Sequence, residues 1–492
     1  MLTIAGIFFV AAVMIAQPVA AQTSTPVTTN NGTPPAPATS LPSAPSVPTA
    51  APPPGVALPG SQTTAPATAP LQTLPGGLTA PVVPPNAPPL TIGQAEQLAL
   101  QHNPRVTVAR LLALAQGQVT REQRAAEMPT LAGNITAVGA DNGTRLTAGA
   151  LNNPVLYQRA AAGVTLNQLI TDFGRTRNLV AQANLNAQAA QNTLIATRDD
   201  VVFAVDAAFY RALGAQALIQ VASQTVKARQ ATANQIQALA NARLRSTLDL
   251  SFANAQLAQA QLLLLDARNQ SVTAQADLSA LLGDDSSTVY RLIDETPATP
   301  PAAPTEAAPL VQQAFAQRPD LKSLQQQADA AHHLATAERD LSLPTVTALG
   351  AAGTAPWRAD EIPSAAYGAA GVNINIPIFN GFLYSARAEE ARLRAGAADS
   401  QVLQLRDTIA RDVTTTVLQA QDNFNRIAVA QQLVSQANSA LSLAQTRYQL
   451  GLSSIVELSD AQLLQTQAEI ELANARYAYQ GSLSAIRYQT GQ

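Results

Sequence analysis

Residues 371–381 read Gly-Val-Asn-Ile-Asn-Ile-Pro-Ile-Phe-Asn-Gly, and from there to about Gln449 the chain contains no proline and a single glycine, Gly396. Val372 to Ile376 alternates aliphatic and amide side chains. A period of two gives a strand one oily and one polar face, the pattern required between lipid and a water-filled lumen. The run beyond Gly381 is rich in Ala, Gln, Leu and Arg, which favour helix. Along it Val413, Val417, Ala420, Phe424, Ile427 and Ala428 recur at three- and four-residue spacing, the seam of a coiled coil. At 1.5 Å per residue such a helix is on the order of 100 Å long. The stretch therefore predicts a strand feeding a very long packed helix, which turns at Gly451-Leu452-Ser453-Ser454 and returns from Val456 to Tyr488.

The same order of elements occurs earlier in the chain. Asn103-Pro104-Arg105-Val106 recurs as Arg318-Pro319-Asp320-Leu321, with the prolines 215 residues apart (319 − 104), and Pro129 recurs as Pro344 at the same distance (344 − 129). Gly163 and Gly371 stand 208 apart (371 − 163), as do Asp249 and Glu457 (457 − 249) and Gly283 and Gly491 (491 − 283). The seven-residue difference (215 − 208) falls between Pro129 and Gly163 and marks a surface loop. The chain thus reads as a tandem duplication with a unit too long for a solenoid. The first repeat is placed over 90–292, with a β-hairpin at about 131–170 and a helical hairpin at about 174–283. A Pro/Ala linker covers 293–309. The second repeat covers 310–492, with a β-hairpin at about 345–378 and a helical hairpin at about 381–490.

Val164-Thr165-Leu166-Asn167 repeats the alternation of the second half. Tyr157, Trp357 and Tyr367 are expected near the hairpin tips, and Phe173 and Phe379 where the returning strands end. Aromatics at both ends suit the two interfaces of a bilayer. The same residues also fit a pair of soluble β-hairpins, and the residues alone leave that open.

Composition narrows the function classes. Only 12% of residues are charged and 4% aromatic, and the formal net charge of −3 offers no basic face for nucleic acid. There is no cysteine, which excludes disulfides, thiolate metal sites, a Cys nucleophile and a lipid anchor on an N-terminal Cys. His332-His333 has no third ligand at useful spacing, and no Ser/His/Asp set or phosphate loop occurs. The expectation is a non-enzyme with no metal and no cofactor. Residues 1–21, an apolar run ending in Val19-Ala20-Ala21, are expected to be a signal peptide, although no Lys or Arg precedes the run. No other unbroken apolar stretch predicts a transmembrane helix. Residues 22–89, rich in Pro, Ala, Thr and Ser and uncharged, are expected to form a disordered tail.

Two hairpins supply four membrane strands. Four strands cannot close a barrel, and an open edge is not tolerated in lipid. Bacterial barrels begin at about eight strands, so the barrel must be shared between chains.

From Leu90 to Gln492 the order of elements resembles the TolC-like outer-membrane efflux protein family. The resemblance rests on Leu90-Thr91 to Pro104, Asp172-Phe173-Gly174-Arg175, Phe379-Asn380-Gly381 and Arg447-Tyr448-x-x-Gly451, within a tandem duplication. It implies a mainly α protein with membrane β structure. Three chains would build a twelve-stranded β-barrel continued by a twelve-helix coiled-coil α-barrel, each chain giving four strands and long helical hairpins. It implies the outer membrane of a Gram-negative bacterium, a large periplasmic part, and a passive exit duct for a tripartite efflux or type I secretion system. Partners implied are the homotrimer, outer-membrane lipid, a periplasmic adaptor and an inner-membrane pump. By the same resemblance Tyr448 is a gating tyrosine, Asp249 its partner carboxylate, and Glu457 and Asp460 acidic rings of a periplasmic iris. Three apart, these two acids share a helix face, and rings of like charge favour cations. A solvated helix face is the alternative for both. The tips that meet the adaptor are Ser246 and Thr247 in one hairpin, and Gly451, Leu452 and Ser453 in the other. Ser453 stands where the family carries an arginine. A non-conducting coiled-coil envelope scaffold is the competing function.

Overall fold

The computed structural model describes residues 84, 87–141, 158–284, 288–297, 299–358 and 364–492. The signal-peptide expectation, most of the Pro-rich stretch and Tyr157 lie outside the described residues.

Two short helices open the first half. Thr91 caps α1 (Ile92–His102), its hydroxyl accepting from the Gln94 N–H while the Gln94 side chain returns to the Thr91 N–H. Asn103 then caps α2 (Pro104–Ala125), whose first residue is a proline that needs no N–H partner there. Strand β1 (Pro89–Leu90) lies before α1 and pairs in parallel with β4 (Arg291–Leu292). The end of the stretch expected as a disordered tail is therefore ordered. Proline gives up a donor but keeps its carbonyl, and the Arg291 N–H donates to the Pro88 oxygen at 2.9 Å.

Strands β2 (Thr130–Val138) and β3 (Arg159–Thr171) are followed by α3 (Arg175–Asn241) and α4 (Thr247–Leu282). The second half repeats the order with α5 (Ala308–Gln317), α6 (Pro319–Arg339), β5 (Thr345–Arg358), β6 (Ala366–Asn375), α7 (Leu383–Gln449) and α8 (Ile455–Thr490). Both α3 and α7 have 67 residues, and both α4 and α8 have 36. Each long helix begins at a corner with two consecutive left-handed residues, Phe173 (φ 56°) with Gly174 (φ 111°), and Gly381 (φ 63°) with Phe382 (φ 66°). These pairs are 208 apart (381 − 173), with the glycine first in one and second in the other. The corner requires the conformation, and each repeat places its one strain-free residue differently.

Alanine governs the packing of the long helices. Ala233, Ala253 and Ala444 are buried with Ile236, Leu257 and Leu458 where the four helices meet near their turns. Small side chains let neighbouring axes approach over a long line, and apolar burial at roughly 25 cal/mol per Å² accumulates along it. Among the described residues α3 is the one helix long and apolar enough to cross a membrane. Its Val201, Val205, Phe209, Ala212 and Leu213, however, are core residues packed with α1 and α4. The 293–307 connector also docks on helices: Tyr479 donates to the Pro301 carbonyl at 2.6 Å, and Gln421 to that of Pro304 at 2.7 Å.

One charged pair interrupts that core. Asp206 of α3 is 3% exposed, and its Oδ1 has no conventional donor. Glu96 of α1 lies beside it, close enough for the two carboxyls to shift each other's titration. Burial first, then the charge of Asp206, pushes the Glu96 carboxyl up to about 7. Arg487 of α8 pulls the other way.

The four longer strands form one antiparallel sheet in the order β2-β3-β5-β6. In register Leu131 faces Leu166, Ala348 faces Val372 and Val346 faces Ile374, which puts most of the aliphatics on one side, with Leu349 paired to Asn167 and Leu169 to Thr347 on the other. Thr130, Asn134, Thr165, Asn167, Thr347, Asn373 and Asn375 take the other, where Asn134 donates to the Thr165 hydroxyl at 3.1 Å. The aliphatic side is open, Ile135 being 90% exposed. Trp357 lies inside β5 rather than beyond it, because that strand continues to Arg358. Phe173 and Phe379 fall past the strand ends, at Thr171 and Asn375. Tyr367 is the second residue of β6, near the hairpin tip. It faces Gly353 on the polar side, and its ring covers Gly353 and Gly163 so closely that a Cβ on either would overlap it. Two facing glycines leave a hollow in the sheet, and an aromatic from the next strand fills it.

Candidate functional site at the helical turns

The turn between α7 and α8 is built by local chemistry. Gly451 has φ 76°, a left-handed conformation open to glycine without strain, and the Ser454 hydroxyl caps α8 by accepting from the Glu457 N–H. Ser246 does the same for α4, accepting from the Leu248 N–H. Thr247, Gly451 and Leu452 are exposed, and the Ser453 Oγ is buried without a partner.

Tyr448, in the last turn of α7, is 3% exposed and packs in the cluster of Ala233, Ile236, Leu257, Ala444 and Leu458. Its hydroxyl has no hydrogen-bond partner. Burial raises the phenol above its ordinary value, Arg245 opposes the rise and Asp249 adds to it. Asp249 sits half-buried in the first turn of α4, where a carboxylate also suits the helix dipole. It thus acts on Tyr448 through its field and does not accept its hydroxyl, contrary to the expected partnership. A buried hydroxyl held near a carboxylate but not bonded to it gains little from the acid.

The group that engages Tyr448 is Arg245, in the turn of the other hairpin. Its guanidinium carbon lies 4.6 Å from the centre of the Tyr448 ring, and Nη2 donates to the Tyr448 carbonyl at 3.3 Å. Arg243, two residues earlier, has φ 61°. No sequence signal marks Arg245, because its partner is 203 residues away. The closest hint is the missing arginine at 453, which leaves the α7–α8 turn without a cation of its own at that place.

The two acids of α8 are exposed on its first turns. Glu457 Oε1 lies 3.2 Å from Arg447 Nε, an ion pair that closes the turn of its own hairpin. Asp460 follows Ser459, and its charge supports that of Arg229 on α3 without a direct ion pair. Arg229 is 5% exposed and donates from Nη1 to Gln462 Oε1 at 2.6 Å and from Nη2 to the Ser459 carbonyl at 3.2 Å. The Gln462 amide continues to the Thr232 hydroxyl at 3.2 Å. This buried polar chain fastens α8 to α3. Periodicity did not expose it, since an arginine in a helical run ordinarily reads as solvated surface.

Comparison with known proteins bears on this architecture. The chain matches the family model described as outer membrane efflux protein over residues 96–284 and 310–492. Outer membrane protein TolC of Salmonella enteritidis is 26% identical over 121 residues, 25% of this chain and 25% of TolC, so the match spans about a quarter of that relative. Outer membrane efflux protein BepC of Brucella suis biovar 1 is 25% identical over 344 residues, 67% of this chain and 72% of BepC. Among solved structures, the outer membrane protein VceC of Vibrio cholerae superposes with a TM-score of 0.70 at 20% identity, covering 81% of this chain and 96% of that one. The CmeC outer membrane channel of Campylobacter jejuni gives 0.71 at 16% identity, covering 81% and 85%. At these identities the superpositions establish the fold, and the family match reaches both repeats: the chain belongs to the outer membrane efflux protein family.

Proposed function

We propose that three copies of this chain form a passive exit duct in the outer membrane of a Gram-negative bacterium, opened at its periplasmic turns by an adaptor and an inner-membrane pump. The carrying observation is the four-stranded sheet with unpaired outer edges, one mainly aliphatic side and one mainly hydroxyl-and-amide side. Strands β3 and β5, of 13 and 14 residues, exceed the 9–11 or so that a tilted crossing needs. Three such sheets give twelve strands, enough to close without an edge. Three pairs of helical hairpins then continue the wall as twelve helices. Signal peptide and two repeats keep the boundaries given above, the tail ends before the ordered Pro88-Pro89, and the linker ends where α5 begins at Ala308. Trp357, Phe173 and Phe379 are assigned to the bilayer boundaries. Ser246, Thr247, Gly451, Leu452 and Ser453 are assigned to the adaptor contact, and Tyr448, Asp249, Glu457 and Asp460, with Arg245 added, to the iris.

The protein in this role is a conduit and catalyses nothing. Purified trimer reconstituted into a planar bilayer is expected to conduct ions in discrete steps. A correctly folded trimer that stays silent across many insertions refutes the duct and favours the scaffold, which has no use for a lipid-facing sheet.

A further inference from the structure

Acidic rings at a narrow mouth lead one to expect a cation filter, but the charges around these turns do not add up to one. Residues 225–250 carry Lys227, Arg229, Arg243, Arg245 and Asp249, and residues 445–462 carry Arg447, Glu457 and Asp460. Five cations against three anions leave this end of each chain at +2 (5 − 3). The arrangement is specific as well as numerical. Glu457 is held by Arg447 at 3.2 Å across the turn. Next to Asp460 in the chain, the Ser459 carbonyl accepts from the buried guanidinium of Arg229, which Gln462 also holds, so a fixed cation stands near Asp460 without pairing to it directly.

We propose that Arg447 and Arg229 compensate the Glu457 and Asp460 rings from within each chain, so that the mouth carries no negative barrier and admits anionic and neutral solutes at least as readily as cations. This rests on the duct reading and assigns to it a class of cargo. Two charges 3.2 Å apart act on a passing ion as a dipole, whose field falls faster than that of a lone carboxylate. Their mutual attraction is also far inside the screening length, about 10 Å at 0.1 M salt, so ordinary ionic strength does not undo the compensation. Burial works against the charge on Arg229 and Asp460 supports it, while Gln462 and the Ser459 carbonyl hold the guanidinium in place. Arg447 is the better residue to perturb. Its side chain is 47% exposed, outside the packed cluster beneath the turn.

The experiment is the reversal potential of the trimer in a potassium chloride gradient. Wild type is expected to show little preference for potassium over chloride. Arg447→Gln bares Glu457, and a unit charge about 6 Å from a permeating ion biases its local population roughly threefold even at the dielectric of water. The variant is therefore expected to shift the potassium-to-chloride permeability ratio upward by about threefold or more, and more strongly at low salt. Arg447→Gln with Glu457→Gln is expected to return to the wild-type ratio, a restoration that general misfolding does not produce. A wild-type trimer already as cation-selective as Arg447→Gln, or a conducting variant with an unshifted potential, overturns the compensation while leaving the duct standing. A silent wild-type trimer instead removes the duct on which it rests.

Discussion

Removing Arg245 tests whether the clasp seen at the turns holds them closed. The guanidinium stacks on a ring that is itself buried, a contact worth about 1 kcal/mol at a partly exposed site. It also donates to the Tyr448 carbonyl, and at 3.3 Å that bond contributes about 1 kcal/mol. Arg245→Ala therefore weakens the tie between hairpins by about 2 kcal/mol per chain, which moves a closed–open balance roughly thirtyfold toward open. Tyr448→Phe removes only a hydroxyl that has no partner, and deleting an unsatisfied buried polar group is neutral or stabilising by about 1 kcal/mol. Single-channel recording separates the two: Arg245→Ala is expected to raise open probability or conductance, whereas Tyr448→Phe is expected to leave both unchanged or slightly lower. Asp249→Ala belongs with the phenylalanine variant, because that carboxylate reaches Tyr448 only through its field. If Tyr448→Phe opens the duct as far as Arg245→Ala, the phenol hydroxyl is the clasp and this account of the turns is wrong.

Two further outcomes follow from the sheet and the core. Gly353→Val forces a Cβ into the Tyr367 ring and the Ala162 carbonyl and is expected to cost about 1–3 kcal/mol. Adding Tyr367→Ala should recover part of the lost heat resistance of the trimer on a denaturing gel, and no recovery would place the conflict elsewhere. Glu96 has a folded value of about 7, above its ordinary 4.5, so the folded state holds the extra proton and its stability falls as pH rises through that window. Protection of the α1 amides, relative to their intrinsic base-catalysed exchange, is expected to fall between about pH 4.5 and 7 in the native chain and to lose that dependence in Glu96→Gln. A slope that persists in the variant assigns the effect to another group.

The long helices were legible because their evidence is local. An unbroken run without proline, closed by Gly451 and a serine cap, specifies α7 almost by itself, and α3 repeats it at the same length. The Ile-Asn alternation likewise announced β6. Strand lengths were less legible: β5 runs through Ala351, Ala352 and Gly353, residues whose small size carries no period-two signal, and reaches Arg358. The face that Tyr367 takes was not legible for a related reason, since it is set by pairing with Gly353 rather than by its own neighbours in sequence. Arg245 on Tyr448, Arg229 on α8 and Glu96 against Asp206 all join residues more than a hundred positions apart. A single sequence does not encode such contacts in any pattern of spacing, and they appear only when the chain is folded.

The two outermost strands of the sheet, β2 and β6, each end it with unbonded backbone groups beside exposed aliphatics. On the proposed duct reading, a newly exported chain has no safe solitary form: until it meets its fellows it is both sticky and a target for periplasmic proteases. Association and insertion must run as one event, faster than cleavage or clumping, and the yield of ducts should rise more steeply than in proportion to the supply of chains. A cell that makes a truncated copy lacking β6 would thus do worse than waste it, since that copy can occupy a neighbour's edge and halt the ring.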